Sequence, residues 1–340
     1  MPARAVIGAV LCAGFGSRLR PLTDVLPKPL LPFLNTPLIA YALNHLSLAG
    51  VERVGINLHH LPDTIPPVVD RLCEQFGLLP VYVREWEILG TAGGIRGIWQ
   101  GLGDPQSTLV ALNGDSVMNL DLNAHLEAHR QSGAEATIVV RPRASDQPGR
   151  VWLDREGNLQ GLRAMRHPDA PPDEELVEYD FTGVHILEPR LLETIPLEKG
   201  CMVGDVYGPM LEAGKRVNIC VSESFWAALD TPELFVQTSK RVLLSPEIFE
   251  QAPLPDPTSA GLYIFNPDTI DNKAQLAAPI LCGLHVKIEA GAKLGPFSLI
   301  DGVELAGNAS VKNAVLYGMG RIEGEWHDCL AVAGKVIALK

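Results

Sequence analysis

The chain has 340 residues, of which 46% are hydrophobic and 20% charged, and a formal net charge of −12. That length exceeds one average domain, and the composition excludes disordered and fibrous classes. The acidic balance, with no local run of lysine or arginine against it, argues against a nucleic-acid backbone as partner.

Residues 1–10 begin the chain with one arginine and an apolar run too short for a secretory leader, and read instead as a strand. Short β-branched apolar runs follow at 54–58, 79–83, 108–112 and 136–140, separated by longer helix-like segments. That alternation predicts an α/β fold, a Rossmann-like, mostly parallel mixed sheet covered on both faces. Leu38, Tyr41, Ala42, His45 and Leu46 recur at helical spacing over 36–49, which ends at Gly50 as a helix does. No stretch reaches the roughly 18 uninterrupted apolar residues of a membrane span. Six cysteines (Cys12, Cys73, Cys201, Cys220, Cys282, Cys329) lack CxxC spacing, so neither a zinc cluster nor a disulfide framework is expected, and a reducing cytoplasm fits.

Prolines at 246, 253, 255, 257 and 267 make the stretch 244–279 read as a connector between a first domain, 1–243, and a last one, 280–340. In the last, Ile288, Leu294 and Ile300 recur every six residues, and Leu305, Val311 and Tyr317 resume that step after a one-residue slip. Small residues follow four later at Ala292, Ser298 and Ala309. This is the period of a left-handed parallel β-helix of two or three coils. A glycine-rich antiparallel sheet is the competing reading.

Directly after the first strand comes Leu11-Cys12-Ala13-Gly14-Phe15-Gly16-Ser17-Arg18-Leu19-Arg20-Pro21-Leu22-Thr23. A glycine loop there lets backbone N–H groups approach phosphate oxygens, a following helix start adds a favourable dipole, and Arg18 neutralises charge. It matches neither GxGxxG, since Leu19 stands where glycine would, nor a Walker loop. A strand-to-helix turn without a ligand is the remaining alternative. Further on, Pro27-Lys28-Pro29 fixes the backbone on either side of one lysine.

The run LCAGFGSRLRPLT followed by PKPLLP resembles the sugar-1-phosphate nucleotidyltransferase family, whose pattern is LxAGxGTRLxPLT then PKP. The appended repeats resemble the mannose-1-phosphate guanylyltransferase branch, and the Ile56-Asn57 strand end and the NGD turn resemble N-acetylmuramate-1-phosphate uridylyltransferases. The resemblance implies that Leu11, Ala13, Gly14, Phe15, Gly16 and Ser17 hold the nucleotide, with Arg18 and Lys28 on its phosphates. It extends to Glu87-Ile88-Leu89-Gly90-Thr91-Ala92, similar to the family's ExLGTAG segment beside base and ribose. Asn113-Gly114-Asp115 is similar to its NGD turn, and implies that Asp115 binds Mg2+. Thr182 and Gly183 resemble its F-x-G-I strand at the sugar pocket, and Asp205 stands where an acidic residue meets sugar hydroxyls. Asp115 also follows an apolar strand, so it stands at a strand's carboxyl end, where open α/β sheets bind ligands.

Two departures bear on activity. Where the family has FWxDxGTP, with a second metal-binding aspartate, this chain reads Phe225-Trp226-Ala227-Ala228-Leu229-Asp230-Thr231-Pro232. Ala228 takes the aspartate's place and Asp230 the glycine's, so Asp230 substitutes only if the local turn is shifted. The family's E-K-P lysine on the sugar phosphate is also missing, which leaves Arg163 or Arg166 to that role or to a solvated surface. His125 and His129 have helical spacing for zinc but the wrong order around Glu127, and His59 and His60 follow a strand end. The resulting expectation is a Mg2+-dependent enzyme that joins a nucleoside triphosphate (NTP) to a sugar 1-phosphate, as a cytoplasmic homo-oligomer with neither nucleic acid nor membrane as partner. A catalytically weak regulatory nucleotide-sugar-binding homologue is the alternative, and acyl transfer by the repeats a third.

Overall fold

The structure is a computed structural model and describes residues 4–143 and 151–339. The expected first strand and last domain therefore begin and end on residues, Met1–Ala3 and Lys340, that lie outside the described residues. The chain forms two compact units: residues 1–14, 39–114 and 120–226 make the first, and 15–38, 115–119 and 227–340 the second.

The first unit is built on a ten-stranded mixed sheet. Its parallel half runs Leu79–Arg84, Arg53–Leu58, Val6–Leu11 and Thr108–Asn113, each in register with the next. Val177–Leu187 lies antiparallel to Thr108–Asn113 through His185–Leu187, to Ala136–Pro142 from Leu187 to Tyr179, and to Val151–Leu153 at its start. The central strands Val6–Leu11, Arg53–Leu58 and Thr108–Asn113 are apolar through their middles because both sheet faces are covered there. On one face Ile7, Ala9, Leu109 and Ala111 pack with Ile95, Ile98 and Leu102 of the Gly90–Leu102 helix. On the other, Gly8 leaves no room for a Cβ, which would stand 2.8 Å from Leu46 in the Leu38–Leu48 helix.

In the second unit the stacked strands of the repeat region are parallel, which excludes the antiparallel alternative, and only the final Lys335–Ala338 strand among those described turns back antiparallel. Ile264 pairs with Cys282 and Cys282 with Ile300, so 18 residues, three six-residue sides, separate stacked positions. The inward step therefore runs unbroken through Ile264, Ile270, Leu276, Cys282, Ile288, Leu294 and Ile300. Its first three members fall inside the stretch expected as a connector, where Leu262–Ile264 and Gln275–Leu276 already pair as coil strands. Prolines tolerated at the coil's corners hide that period in the composition. Later turns shorten, Ile300 pairing with Leu316 and Leu316 with Ala331, so Leu316 and not Tyr317 is the inward residue. Tyr317 instead accepts a hydrogen bond on its hydroxyl from Asn35 N–H at 3.2 Å. Phe33 closes the unit by packing edge-on against Phe235, ring centroids 5.8 Å apart, and against Phe249.

Candidate active site

In the second unit the chain enters through the glycine loop. Gly16 has φ 59°, the left-handed conformation that glycine adopts without cost, and a Cβ there would stand 2.9 Å from Thr23 and 3.0 Å from Lys28. The glycine thus lets both side chains close onto the loop, and the Thr23 hydroxyl donates to Gly16 O at 3.0 Å. Beyond it the chain makes a single 3-10 turn, Ser17–Leu19, rather than the expected helix start, so the helix-dipole contribution is small. Phe15 is half exposed and Arg18 largely so.

Lys28 is buried, and its Nζ lies 2.8 Å from Asp115 Oδ2 and 2.7 Å from Asp230 Oδ1. The second oxygen of Asp230 meets Arg18 at 2.9 Å. Asp115, Lys28, Asp230 and Arg18 thus form one chain of alternating charge. Asp230 reaches it because the Trp226–Ala228 strand has already ended, so the strand alternation that would fix its direction no longer applies. Burial pushes the Asp230 carboxyl up, but Lys28 and Arg18 outweigh it and hold it below the ordinary aspartate value. Thr231, next in sequence, caps the Pro232–Leu244 helix by accepting from Leu234 N–H, which fixes the turn that aims Asp230.

In the first unit the loop's other end is held by a buried relay. Cys12 N–H donates to Asn57 Oδ1 at 2.7 Å, Asn57 Nδ2 donates to Glu85 Oε1 at 2.7 Å, and Leu89 N–H donates to Glu85 Oε2 at 2.9 Å. Asn57 and Glu85 are 3% and 5% exposed, so their polar groups depend on these partners. Sequence reasoning misses Glu85 and points instead to Glu87, an exposed residue. The available signal is Gly94, whose Cβ would stand 2.8 Å from Asn57 and 3.1 Å from Glu85. His59 belongs to the same corner, its Nδ1 2.9 Å from the Glu85 carbonyl.

Gly90 has φ 69° and faces Gly200 O, which a Cβ would approach to 2.4 Å; Ala92 N–H donates to that carbonyl at 3.0 Å, and Thr91 Oγ1 accepts from Met202 N–H at 2.8 Å. These contacts seat Cys201–Asp205 on the start of the helix, and Asp205 accepts from Cys201 N–H at 2.6 Å, at the head of the π-helical turn Met202–Tyr207. Gly114 N–H donates to Leu11 O at 3.1 Å, which brings the NGD turn beside Leu11, Cys12 and buried Ala13. Asn113 lies against Gly183, where a Cβ would stand 2.3 Å from its amide. Thr182 is buried and donates its hydroxyl to Val139 O at 2.7 Å, while its own carbonyl accepts from the Trp226 indole at 3.0 Å.

Arg166 is spent on structure: its guanidinium stacks 3.9 Å from the Trp152 ring centroid and donates to Arg163 O at 3.0 Å. Arg163, at φ 53°, is exposed. His129 is bonded to Thr137 and Glu188, so it holds a helix to the sheet rather than serving a metal. No group of three or more metal-ligating side chains occurs among the described residues, and the charge chain contributes two carboxylates, Asp115 and Asp230.

A family model described as nucleotidyl transferase matches residues 7–243. UTP–glucose-1-phosphate uridylyltransferase from Synechocystis sp. is 27% identical over 330 residues, 92% of this chain and 83% of that protein. Mannose-1-phosphate guanylyltransferase 1 from Arabidopsis thaliana is 25% identical over 329 residues, 93% and 87% of the two chains. A crystal structure described as a putative glucose-1-phosphate thymidylyltransferase from Bacillus anthracis superposes with a TM-score of 0.55 at 22% identity, covering 70% of this chain and 95% of that one.

Proposed function

The chain belongs to the nucleotidyl transferase family, and we propose that it transfers a nucleoside monophosphate from an NTP to a sugar 1-phosphate, releasing pyrophosphate. The observation that carries this reading is the Asp115–Lys28–Asp230–Arg18 charge chain beside the glycine loop. A sugar 1-phosphate oxygen attacks the α-phosphorus, the bond to the β-phosphate oxygen breaks, and no covalent enzyme intermediate is needed. Such chemistry is positioning and charge neutralisation. Arg18 and Lys28 supply positive charge to the phosphates. Leu11 to Ser17 supply the loop, Glu87, Gly90, Thr91, Ala92, Asn113 and Gly114 frame base and ribose, and Thr182, Gly183 and Asp205 frame the sugar. The buried hydroxyl of Thr182 donates to the backbone, so its part is to shape the pocket.

Mg2+ is the implied cofactor, and the donor set fits it: Asp115 and Asp230 are two partly exposed carboxylates that converge on one ammonium, and Mg2+ takes carboxylate and phosphate oxygens with retained waters. These two residues would hold it, and when bound it would neutralise phosphate charge. Asp230 thereby takes over from the aspartate that Ala228 replaces. None of the six cysteines is in a disulfide, which supports a reducing cytoplasmic setting. No helix among the described residues is long and apolar enough to cross a membrane. The coil, wound left-handed, would serve contacts in a homo-oligomer.

Ala228 favours one second reading, a regulatory homologue that binds a nucleotide sugar without turnover. Pyrophosphate release measured with a panel of nucleoside triphosphates and sugar 1-phosphates separates the two. Turnover with one pair is expected; tight nucleotide-sugar binding with no turnover by any pair would contradict the enzyme reading.

A further inference from the structure

The first unit contains a cleft of about 400 Å³ lined by none of the residues assigned to nucleotide or sugar. Its volume falls in the range of small-molecule sites, about 300–1,000 Å³. Its walls are the turn between the Val151–Leu153 and Leu159–Leu162 strands on one side and residues 214–219 on the other.

The turn is built around Asp154, which accepts from Glu156 N–H at 3.0 Å, Asn158 N–H at 2.8 Å and Gln160 Nε2 at 2.8 Å. The last bond orients the Gln160 amide and leaves its Oε1 buried with no hydrogen-bond partner. A buried acceptor without a donor is rare, because it has given up water for nothing. The bond from Asp169 N–H to His167 Nδ1, at 3.1 Å, places the proton of the neutral ring on Nε2. That nitrogen lies 3.8 Å from where a Cβ on Gly214 would stand, so it faces the Gly214 turn, whose φ of 66° favours glycine. Lys215 and Arg216 line the opposite wall against one lining carboxylate, Glu156. The Asp154 carboxylate is already satisfied by its own turn, which leaves Lys215 and Arg216 as the cations lining the opposite wall on a chain whose net charge is −12.

We propose that this cleft is a second, non-catalytic site for a small polyhydroxylated phosphate ester, its phosphate held by Lys215, Arg216 and the His167 Nε2–H, and one hydroxyl donated to Gln160 Oε1 once the ligand draws that amide into the cleft. The polar walls suit such a hydrophilic ligand, and a planar guanidinium beside an ammonium suits a phosphate. Because none of the residues proposed for chemistry lines the cleft, occupancy is that of an effector rather than a substrate.

The test titrates glucose 6-phosphate, whose phosphate is not on the anomeric oxygen, into the full chain by calorimetry, with and without excess nucleoside triphosphate. Backbone amide shifts of residues 156–160 and 214–219 locate the site. One molecule is expected per chain, undisplaced by the triphosphate, and weakened at least about tenfold by the exposed double change Lys215→Ala/Arg216→Ala. Gln160→Leu is expected to weaken glucose 6-phosphate and to leave inorganic phosphate binding unchanged. Absence of binding, displacement by triphosphate, or equal affinity in the double variant overturns the proposal; equal affinity for inorganic phosphate and glucose 6-phosphate overturns the hydroxyl contact. None of these readouts depends on turnover of a sugar 1-phosphate, so failure here is distinguishable from failure of the transferase reading.

Discussion

The polar relay at the glycine loop's first end and the one beyond Gly16 are built on opposite principles. In the first unit a single carboxylate, Glu85, is buried and receives neutral N–H donors from Asn57 and Leu89. In the second, four charged groups alternate in sign, with Lys28 buried, both carboxylates partly exposed and Arg18 largely exposed. A buried neutral-donor relay fixes backbone and is shielded from a ligand by its burial. An alternating ionic chain can re-pair with phosphate and metal, since both cations and both carboxylates have natural partners in a metal-bound triphosphate. Under the proposed function, the first relay is a frame and the second would be the working part.

That contrast is broken most sharply at Asp230. Asp230→Ala is expected to cut turnover roughly a hundredfold, the scale for removing one preorganised electrostatic stabiliser, with little change in melting temperature. Ala228→Asp alone is expected to change turnover little if Asp230 already holds the metal. Initial rates of pyrophosphate release on both variants decide it. Full activity in Asp230→Ala would place the working charges elsewhere.

The first relay predicts the reverse pattern. Glu85→Gln puts an amide where Glu85 accepts from both Asn57 and Leu89, leaving one buried donor without an acceptor, at about 1–3 kcal/mol. Chemical denaturation should register that loss, while kcat changes less than KM. A variant as stable as the parent would mean that the relay is not what holds the loop.

Acid sharpens the comparison least. His185, fully buried against Tyr207, has its pKa lowered by burial to about 3. Glu188 is lowered to about 2, mainly by its hydrogen bond from His129. For both, the unfolded chain takes up a proton that the folded chain refuses. Stability is therefore full above pH 6.5, begins to fall as the histidine's unfolded value is passed, and falls further below pH 4.5 toward 2 to 3. Thermal midpoints across that range should decline in this sense; a flat profile would contradict it.

Much of the molecule is readable in the chain. Val6–Leu11, Arg53–Leu58 and Thr108–Asn113 stand out because a strand covered on both faces must be apolar through its middle. Gly16, Lys28 and Asp115 stand out by motif. The hidden parts depend on distance or on mixed signals. Glu85 acquires meaning only from Asn57, 28 residues earlier, and from a glycine that makes room for both. The coil's period is visible from Ile288 but starts at Ile264, masked by the prolines around it. Strand alternation misjudges Asp230, because the strand stops two residues before it.

Arg18 and Lys28 are expected to grip the phosphates of a nucleoside triphosphate. Titrating the preferred triphosphate into the parent chain, Arg18→Ala and Lys28→Met by calorimetry, each variant first shown to be folded, tests it directly. Affinity is expected to fall roughly ten- to hundredfold for each change, the worth of one charge-assisted hydrogen bond. Unchanged affinity in both variants would contradict it.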